Sequence, residues 1–377
     1  MSDEGPGADV GPPWGHDWKG RLHEHVIDSE ALTGNPLGDP HRRPVWVYTP
    51  PGYGGGETTG GGETTGGDET TGGGAGGDIG PGRRYPSIYL IQGLTGQVDM
   101  WRARRAFRRS TPELLDEMFA APDQAPAIVV YVDCWTSLGG SQYLDSPGTG
   151  RYLTYLCDEL IPWVDATYRT LPDPAHRAIT GKSSGGYGAM VLPMLRPDRF
   201  GALATHAGDG LFEVCHLPEF GECARTLRDH YDGSFDRFWA DFRSRPGVIR
   251  PGDDLLLNAW CMAACYSADP DGTVQVPFDP ATGRLIPEVW ERWLALDPVR
   301  MVAGHADALR GLRGIWIDAG RRDDWRLDLA AEAFRRELAA IGVTEPIVRF
   351  ELFEGTHPDI EHRYPMAISW LAERISG

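Results

Sequence analysis

The hexapeptide GKSSGG at residues 181–186 follows an apolar run at 178–180 and leads into a second apolar run. A serine on a sharp turn between a strand and a helix is forced into an unusual backbone conformation, and small neighbours make that turn sterically possible. Only Ser183 has glycines two positions before and two positions after it, because Lys182 occupies the position that Ser184 would need as glycine. The pattern predicts a nucleophile elbow centred on Ser183. An ordinary strand-to-helix turn is the alternative, since the chain has 49 glycines.

The composition is that of a globular protein with an acidic surface. The chain has 377 residues, is 41% hydrophobic and contains no run approaching about eighteen consecutive apolar residues, so we expect no membrane span. A net charge of -18 disfavours nucleic acids and anionic membranes as partners, because both would repel it. The acidic N-terminus lacks an apolar signal region. We therefore expect a cytoplasmic protein that acts on a neutral or cationic small molecule.

The six cysteines form no CxxC pair and none of the spacings of a zinc site. We expect free, mostly buried thiols, with a disulfide between Cys215 and Cys223 as the alternative. Neither a metal nor an organic cofactor is expected.

A glycine-rich repeat separates two strand-like runs, 45–48 and 87–91. The hexapeptide GGGETT begins at residue 54 and recurs in tandem, and such a segment buries too little apolar surface to offset its ordering entropy. We expect a disordered insertion over 54–82 inside a strand connection, with a ligand-binding role as the alternative. Residues 1–20 are expected to form a flexible N-terminal segment.

Strand and helix patterns alternate along most of the chain. They predict one α/β domain over residues 21–377, with a doubly wound, mostly parallel sheet and active-site residues at the carboxyl ends of strands. The stretch 209–297 breaks the alternation and carries helical pieces at 255–266 and 287–296. We interpret it as a helical cap that shapes an acyl or alcohol pocket; an extra packing layer far from the chemistry is the alternative.

A nucleophilic serine needs a base, and the base needs an acid that orients it. In this fold the partners follow the serine in the order acid, then histidine. The strand at 315–318 runs into a loop that holds Asp323, the predicted acid, with Asp324 or a merely solvated Arg/Asp-rich loop as alternatives. Asp318 is expected to lie still within the strand. His357, in the loop after the strand at 347–352, is the predicted base. His362 lies near the start of the last helix, and His206 precedes the acid, so position favours His357.

Two backbone N–H groups are needed to stabilise the oxyanion of the tetrahedral intermediate. One should come from Ser184, the residue after the nucleophile. The other should come from the glycine-containing loop after the early strand, where Leu94 is the predicted donor and Gly93 or Thr95 are alternatives.

Four further side chains are candidates for substrate binding. Trp101, Trp135 and Tyr143 offer aromatic surface for an acyl or aryl group, although core packing would suit them equally. Lys182 is a candidate partner for a substrate carboxylate, with a side chain directed away from the pocket as the alternative.

Several segments agree in order and spacing with a known family. These segments are Val47-Tyr48-Thr49-Pro50-Pro51-Gly52-Tyr53, Tyr89-Leu90-Ile91-Gln92-Gly93-Leu94, Gly139-Gly140-Ser141-Gln142-Tyr143, Asp158-Glu159-Leu160-Ile161-Pro162, the elbow, Gly320 to Asp323, and Gly355-Thr356-His357. From about Arg43 to its C-terminus the chain resembles the putative esterase family of α/β-hydrolases. That family includes S-formylglutathione hydrolase (esterase D), feruloyl esterases, enterochelin esterases and mycolyltransferases.

The resemblance implies the same site residues: Ser183 as nucleophile, Asp323 as acid, His357 as base, and Leu94 with Ser184 as the oxyanion hole. The chain departs from the family where Lys182 and Ser184 flank the nucleophile and where the cap is long, which leaves the substrate open. The primary hypothesis is a serine esterase that cleaves a small-molecule ester or thioester through an acyl-enzyme. The alternatives are an acyltransferase that uses the same intermediate, and a non-catalytic binding protein.

Overall fold

Eight strands form one sheet in the computed structural model, which describes residues 15–54, 82–104, 107–358 and 360–377. The predicted disordered insertion lies outside the described residues except at its two ends. Residues 1–14 of the predicted flexible N-terminal segment also lie outside them. Within the described remainder of that segment, the backbone N–H groups of Lys19 and Gly20 donate to the Asp116 carboxylate.

The strands alternate with helices along the chain. The strands are β1 (Arg21–Asp28), β2 (Arg42–Thr49), β3 (Ser87–Ile91), β4 (Ile128–Val132), β5 (Asp145–Ser146), β6 (Gly150–Arg151), β7 (Arg177–Ser183), β8 (Ala202–Gly208), β9 (Gly314–Gly320) and β10 (Val348–Phe353). The helices are α1 (Thr111–Phe119), α2 (Tyr152–Thr154), α3 (Ile161–Thr167), α4 (Ser184–Leu195), α5 (Phe212–Cys215), α6 (Phe220–Tyr231), α7 (Phe235–Arg243), α8 (Asp253–Tyr266), α9 (Pro287–Leu294), α10 (Pro298–Met301), α11 (Ala306–Arg310), α12 (Leu327–Ala340) and α13 (Arg363–Ser376). A π-helical segment, Tyr155–Leu160, joins α2 to α3.

The order of strands in the sheet is β1-β2-β4-β3-β7-β8-β9-β10. Strand β2 is antiparallel to both of its neighbours. The other five pairings of this sheet, β4-β3, β3-β7, β7-β8, β8-β9 and β9-β10, are parallel. The short strands β5 and β6 form a separate hairpin. The predicted doubly wound, mostly parallel sheet is therefore confirmed.

Helices cover both faces of the sheet, because its central strands are apolar on both sides. In β4, the side chains of Ile128, Val130 and Val132 join one buried cluster, and those of Val129 and Tyr131 join a second cluster on the opposite face. Helices α4 and α12 pack on the first face, and α1 and α13 pack on the second. This layering leaves the loops at the strand ends to build a site.

The sequence pattern did not predict every element. Strand β1 was missed because most of its side chains are exposed or half-buried and histidines occupy two of its positions, so it lacks an apolar alternation. Its pairing with β2 makes it a strand. Helices α6 and α7 were also not predicted individually. All six cysteines are buried free thiols, so the alternative disulfide between Cys215 and Cys223 is absent.

No helix within the described ranges has both the length and the apolar character needed to cross a bilayer.

Candidate active site

Ser183 lies at the junction of β7 and α4 in a strained backbone conformation. Its φ of 57° and ψ of -125° fall where side chains are disfavoured, so the surrounding structure must hold it there. The flanking glycines allow the helix to start this close to the sheet. A Cβ on Gly181 would lie 2.6 Å from the Gly185 carbonyl carbon, and a Cβ on Gly185 would lie 2.7 Å from the Ile91 oxygen. The local geometry is that of a nucleophile elbow.

Asp323 and His357 meet at the carboxyl ends of β9 and β10, which are adjacent parallel strands. The distance between His357 Nδ1 and Asp323 Oδ2 is 2.7 Å. The other carboxylate oxygen of Asp323 accepts hydrogen bonds from the backbone N–H groups of Trp325 and Leu327, at 2.9 and 3.2 Å. With the Nδ1 proton directed at Asp323, Nε2 is the ring atom left to accept a proton.

The alternative acids and bases make other contacts. Asp324 accepts a hydrogen bond from the backbone N–H of His357 at 3.3 Å and does not contact its ring. Asp318 and His206 form a buried pair of their own, with 2.6 Å between Oδ1 and Nδ1. The ring of His362 packs edge-on against Phe353.

The loop after β3 lies against the elbow because β3 pairs with β7. A Cβ on Gly93 would lie 3.1 Å from the Lys182 oxygen, so this close approach favours glycine. The N–H of Thr95 already donates to the Gly139 oxygen at 2.8 Å, and this removes Thr95 from the candidate oxyanion donors. Leu94 lines the cavity beside the elbow. Ser184 is the first residue of α4. The backbone N–H groups in the first turn of a helix have no acceptor within that helix, so the N–H of Ser184 has no partner inside α4.

A cavity of about 720 Å³ lies over Ser183. It is lined by Gly93, Leu94, Thr95, Gly96, Met100, Lys182, Ser183, Ser184, Asp209, Cys215, His216, Ile249, Asp254, Leu257, Asn258, Trp325, Leu327, His357 and Tyr364. The predicted nucleophile, base and oxyanion donors thus share one cavity. Six of the lining residues belong to the stretch from α5 to α8, inside the predicted cap. Another cavity of about 770 Å³, between residues 15–19 and α1, contains none of the predicted catalytic residues.

The predicted aromatic surface is not formed by the residues that the sequence suggested. Trp101 is buried in the core against Tyr364. Tyr143 is also buried, and its hydroxyl donates to the backbone carbonyl oxygen of Gln92. Trp135 is half-buried and, like these two, is not among the residues that line the cavity. The aromatic side chains at the cavity are instead Trp325 and Tyr364, while Lys182 does line it.

Asp209 is a site residue that sequence reasoning missed. It follows β8 directly, and its Oδ1 lies 3.5 Å from Ser183 Oγ, at the outer limit of a hydrogen bond. Its Oδ2 accepts hydrogen bonds from Ser184 Oγ at 3.1 Å and from Gln142 Nε2 at 3.2 Å. Burial raises the pKa of this carboxyl, although the bonds from Gln142 and Ser184 and the charge of His357 oppose the shift. The available signal was an acid at the carboxyl end of a predicted strand.

Comparisons with known proteins agree with this architecture. A family model described as "Putative esterase" matches residues 78–340, well over half of the chain, although His357 lies beyond the matched range. A protein named as an esterase from Mycobacterium tuberculosis is 29% identical over 131 residues, which are 34% of this chain and 26% of that protein. The match thus spans about a quarter of the length of that relative.

Two solved structures share the fold across nearly the whole chain. A ferulic acid esterase superposes with a TM-score of 0.57 at 18% identity, covering 96% of this chain and 100% of that one. An S-formylglutathione hydrolase from Agrobacterium tumefaciens superposes with a TM-score of 0.51 at 16% identity, covering 95% and 97%. The fold is that of the α/β-hydrolases, and the chain belongs to the putative esterase family.

Proposed function

We propose that this protein is a serine hydrolase that cleaves a carboxylic ester or thioester through an acyl-enzyme intermediate. One observation carries the proposal. Ser183, in a strained turn, shares a cavity with His357, and the ring of His357 is oriented by Asp323 through a 2.7 Å contact. Family membership and the esterases among the proteins with similar sequence or fold support the same chemistry.

The reaction would proceed in two halves. As Ser183 Oγ attacks the ester carbonyl carbon, its proton passes to His357 Nε2, and the carbonyl oxygen becomes an anion held by the N–H groups of Leu94 and Ser184. The intermediate collapses, the bond to the alcohol oxygen breaks, and the proton on His357 goes to that leaving group. Water then attacks the acyl-enzyme with the same base, and Ser183 recovers its proton as the acid departs.

The decisive experiment compares the wild type with Ser183→Ala. Hydrolysis of p-nitrophenyl acetate and butyrate should fall by at least about a thousandfold, because the reaction loses its covalent route. Labelling by a fluorophosphonate probe should disappear as well. Ser137→Ala, at an exposed position outside the cavity, is the matched control. Hydrolysis that survives in Ser183→Ala would remove this residue as the nucleophile.

Two further readouts address the alternatives. Product analysis with competing alcohols measures how much of the acyl group passes to an acceptor other than water. Wild-type protein that neither hydrolyses these esters nor reacts with the fluorophosphonate would favour a non-catalytic binding role.

A further inference from the structure

Three polar side chains at the cavity have hydrogen-bonding capacity that other described residues leave unused. Asp209 Oδ1 has only the 3.5 Å contact with Ser183 Oγ. His216 is 4% exposed, lines the cavity, and has no hydrogen-bond partner at its buried Nε2. Asn258 also lines the cavity. We refer to Asp209, His216 and Asn258 as the polar wall.

Asp209 is costly at this position unless something binds it. A buried carboxylate beside the nucleophile competes with His357 for the Ser183 proton and repels the negative charge that develops in the transition state. The hydrogen bonds that Asp209 Oδ2 accepts come from Gln142 and Ser184, which are uncharged. A hydrogen-bond donor on the substrate would turn this unfavourable charge into a favourable contact.

The position of Asp209 is fixed by other side chains. Gln142 donates to Oδ2 and also contacts the Tyr266 hydroxyl at 2.7 Å, and Ser184 donates to the same Oδ2. These bonds leave Oδ1 as the atom nearest to Ser183 Oγ. Since the carbonyl carbon bonds to that Oγ during the reaction, the geometry favours donors only one or two bonds from the carbonyl.

His216 gives the polar wall a neutral member. Burial lowers its pKa to about 3, so the imidazole has one donor and one acceptor nitrogen and no charge. The rings of Phe212 and Trp293 pack edge-on against it, with centroids 4.8 and 5.5 Å away, and these contacts fix its plane. A neutral imidazole held in one orientation suits a hydroxyl group, which both donates and accepts.

On the basis of the proposed function, we propose that the polar wall is a subsite for a hydrogen-bond-donating substituent, a hydroxyl or an ammonium group, close to the scissile carbonyl. Asp209 would accept the hydrogen bond next to the reacting carbon. His216 and Asn258 would contact the same substituent or a polar group further along the substrate.

The test uses three esters of equal acyl skeleton: methyl butyrate, methyl 2-hydroxybutyrate and the methyl ester of 2-aminobutyrate with its amine protonated. The readout is kcat/KM for each donor-bearing ester divided by that for methyl butyrate. This ratio is then divided by the same ratio for hydroxide-catalysed hydrolysis, because an electron-withdrawing substituent activates an ester without any enzyme. This ratio is independent of the fraction of folded enzyme. In the wild type we expect at least one ratio to reach about ten or more, the size of one charge-assisted hydrogen bond.

Two variants separate the two donors. Asp209→Asn removes the charge at nearly constant shape and should lower the ammonium ratio at least fivefold, and the hydroxyl ratio less. His216→Phe keeps the aromatic contacts and should lower the hydroxyl ratio alone. Asp254→Asn removes a carboxylate from the exposed side of the same cavity and should change either ratio no more than twofold, because solvent screens it.

The outcomes distinguish the subsite from the proposed function. Hydrolysis of methyl butyrate with both wild-type ratios near one overturns the subsite and leaves the esterase proposal standing. Ratios unchanged in both Asp209→Asn and His216→Phe overturn it as well. If no ester is hydrolysed and fluorophosphonate does not label Ser183, the proposed function fails and the subsite with it.

Discussion

Asp323 Oδ2 lies 2.7 Å from Nδ1 of His357. The other carboxylate oxygen of Asp323 accepts hydrogen bonds from the backbone N–H groups of Trp325 and Leu327. The carboxylate is therefore fixed before it orients the histidine. Its neighbour Asp324 contacts only the backbone N–H of His357. Two adjacent acids thus make different contacts with one histidine, and this difference can be tested.

Asp323→Asn should lower kcat for p-nitrophenyl butyrate by about a thousandfold to ten-thousandfold, because an amide no longer favours the tautomer that leaves Nε2 as the base. Asp324→Asn should lower it less than tenfold, since its contact is with the backbone. Steady-state kinetics of the two variants at the same pH make the comparison. A larger loss in Asp324→Asn would reverse the assignment of the acid.

Gly93→Ala should slow catalysis by about tenfold to a hundredfold. The added Cβ would lie 3.1 Å from the Lys182 oxygen and 3.4 Å from Ser183 Cβ, so the loop that carries the predicted Leu94 donor must move. A small displacement of an oxyanion donor weakens a contact worth about 3 kcal/mol in the transition state. The effect should appear in kcat more than in KM.

The matched control is Gly221→Ala in α6, where a Cβ would contact nothing within 4 Å. It should keep full activity and raise the free energy of unfolding by about 0.5–1 kcal/mol, through the higher helix propensity of alanine. Equal kinetics for Gly93→Ala and wild type would count against Leu94 as an oxyanion donor.

Asp318→Asn should lower the free energy of unfolding by about 3 kcal/mol at neutral pH, because buried Arg363 and His206 lose the carboxylate that they share and Arg363 keeps only its ion pair with Glu351. Asp318 contacts His206 at 2.6 Å, Trp316 Nε1 at 2.6 Å and Arg363 Nε at 2.8 Å. The control is Asp307→Asn, which breaks an exposed ion pair with Arg310. It should lower the free energy of unfolding by under about 0.5 kcal/mol. Urea unfolding measures both.

The cost of Asp318→Asn should depend on pH. Burial works to raise the pKa of Asp318, but the charge of His206 and the hydrogen bonds from His206, Trp316 and Arg363 outweigh it, so the pKa lies below its usual value. A depressed carboxyl pKa stabilises the fold above the unfolded-state pKa of about 4 and loses that effect as pH falls further. The difference between wild type and variant should therefore shrink below about pH 4. A difference that grows on acidification would contradict this prediction.

The native protein should react slowly with thiol reagents, although it has six cysteines. All six are buried, and burial raises the pKa of Cys223 to about 12, so little thiolate is present at neutral pH. Titration with Ellman's reagent should give about six thiols after unfolding without reductant. A count of four would indicate a disulfide.

Much of the candidate site could be predicted from the sequence, because each of its parts depends on a short stretch of chain. The glycines around Ser183 predict a strained turn without knowledge of any partner, and the elbow has that conformation. Asp323 and His357 each follow a predicted strand, and parallel strands end at the same edge of a sheet. Their order along the chain was enough to predict that they would meet.

The polar wall could not be predicted from the sequence in this way. Asp209 was noted only as the start of an insertion, and its contact with Ser183 Oγ depends on the pairing of β8 with β7. Trp101, Trp135 and Tyr143 were candidates for an aromatic surface at the site, yet they do not line the cavity. Aromatic residues suit a core and a pocket equally, so their sequence positions could not separate the two.

The chain sequence by itself therefore determined the turn at Ser183, the doubly wound sheet and the predicted order of nucleophile, acid and base. Each of these follows from backbone sterics and from apolar runs of a few residues. The surroundings of Asp209 and the composition of the cavity wall arose only in the folded protein, where residues far apart in sequence come into contact. Contacts of that kind depend on strand order and helix packing, which no local pattern encodes.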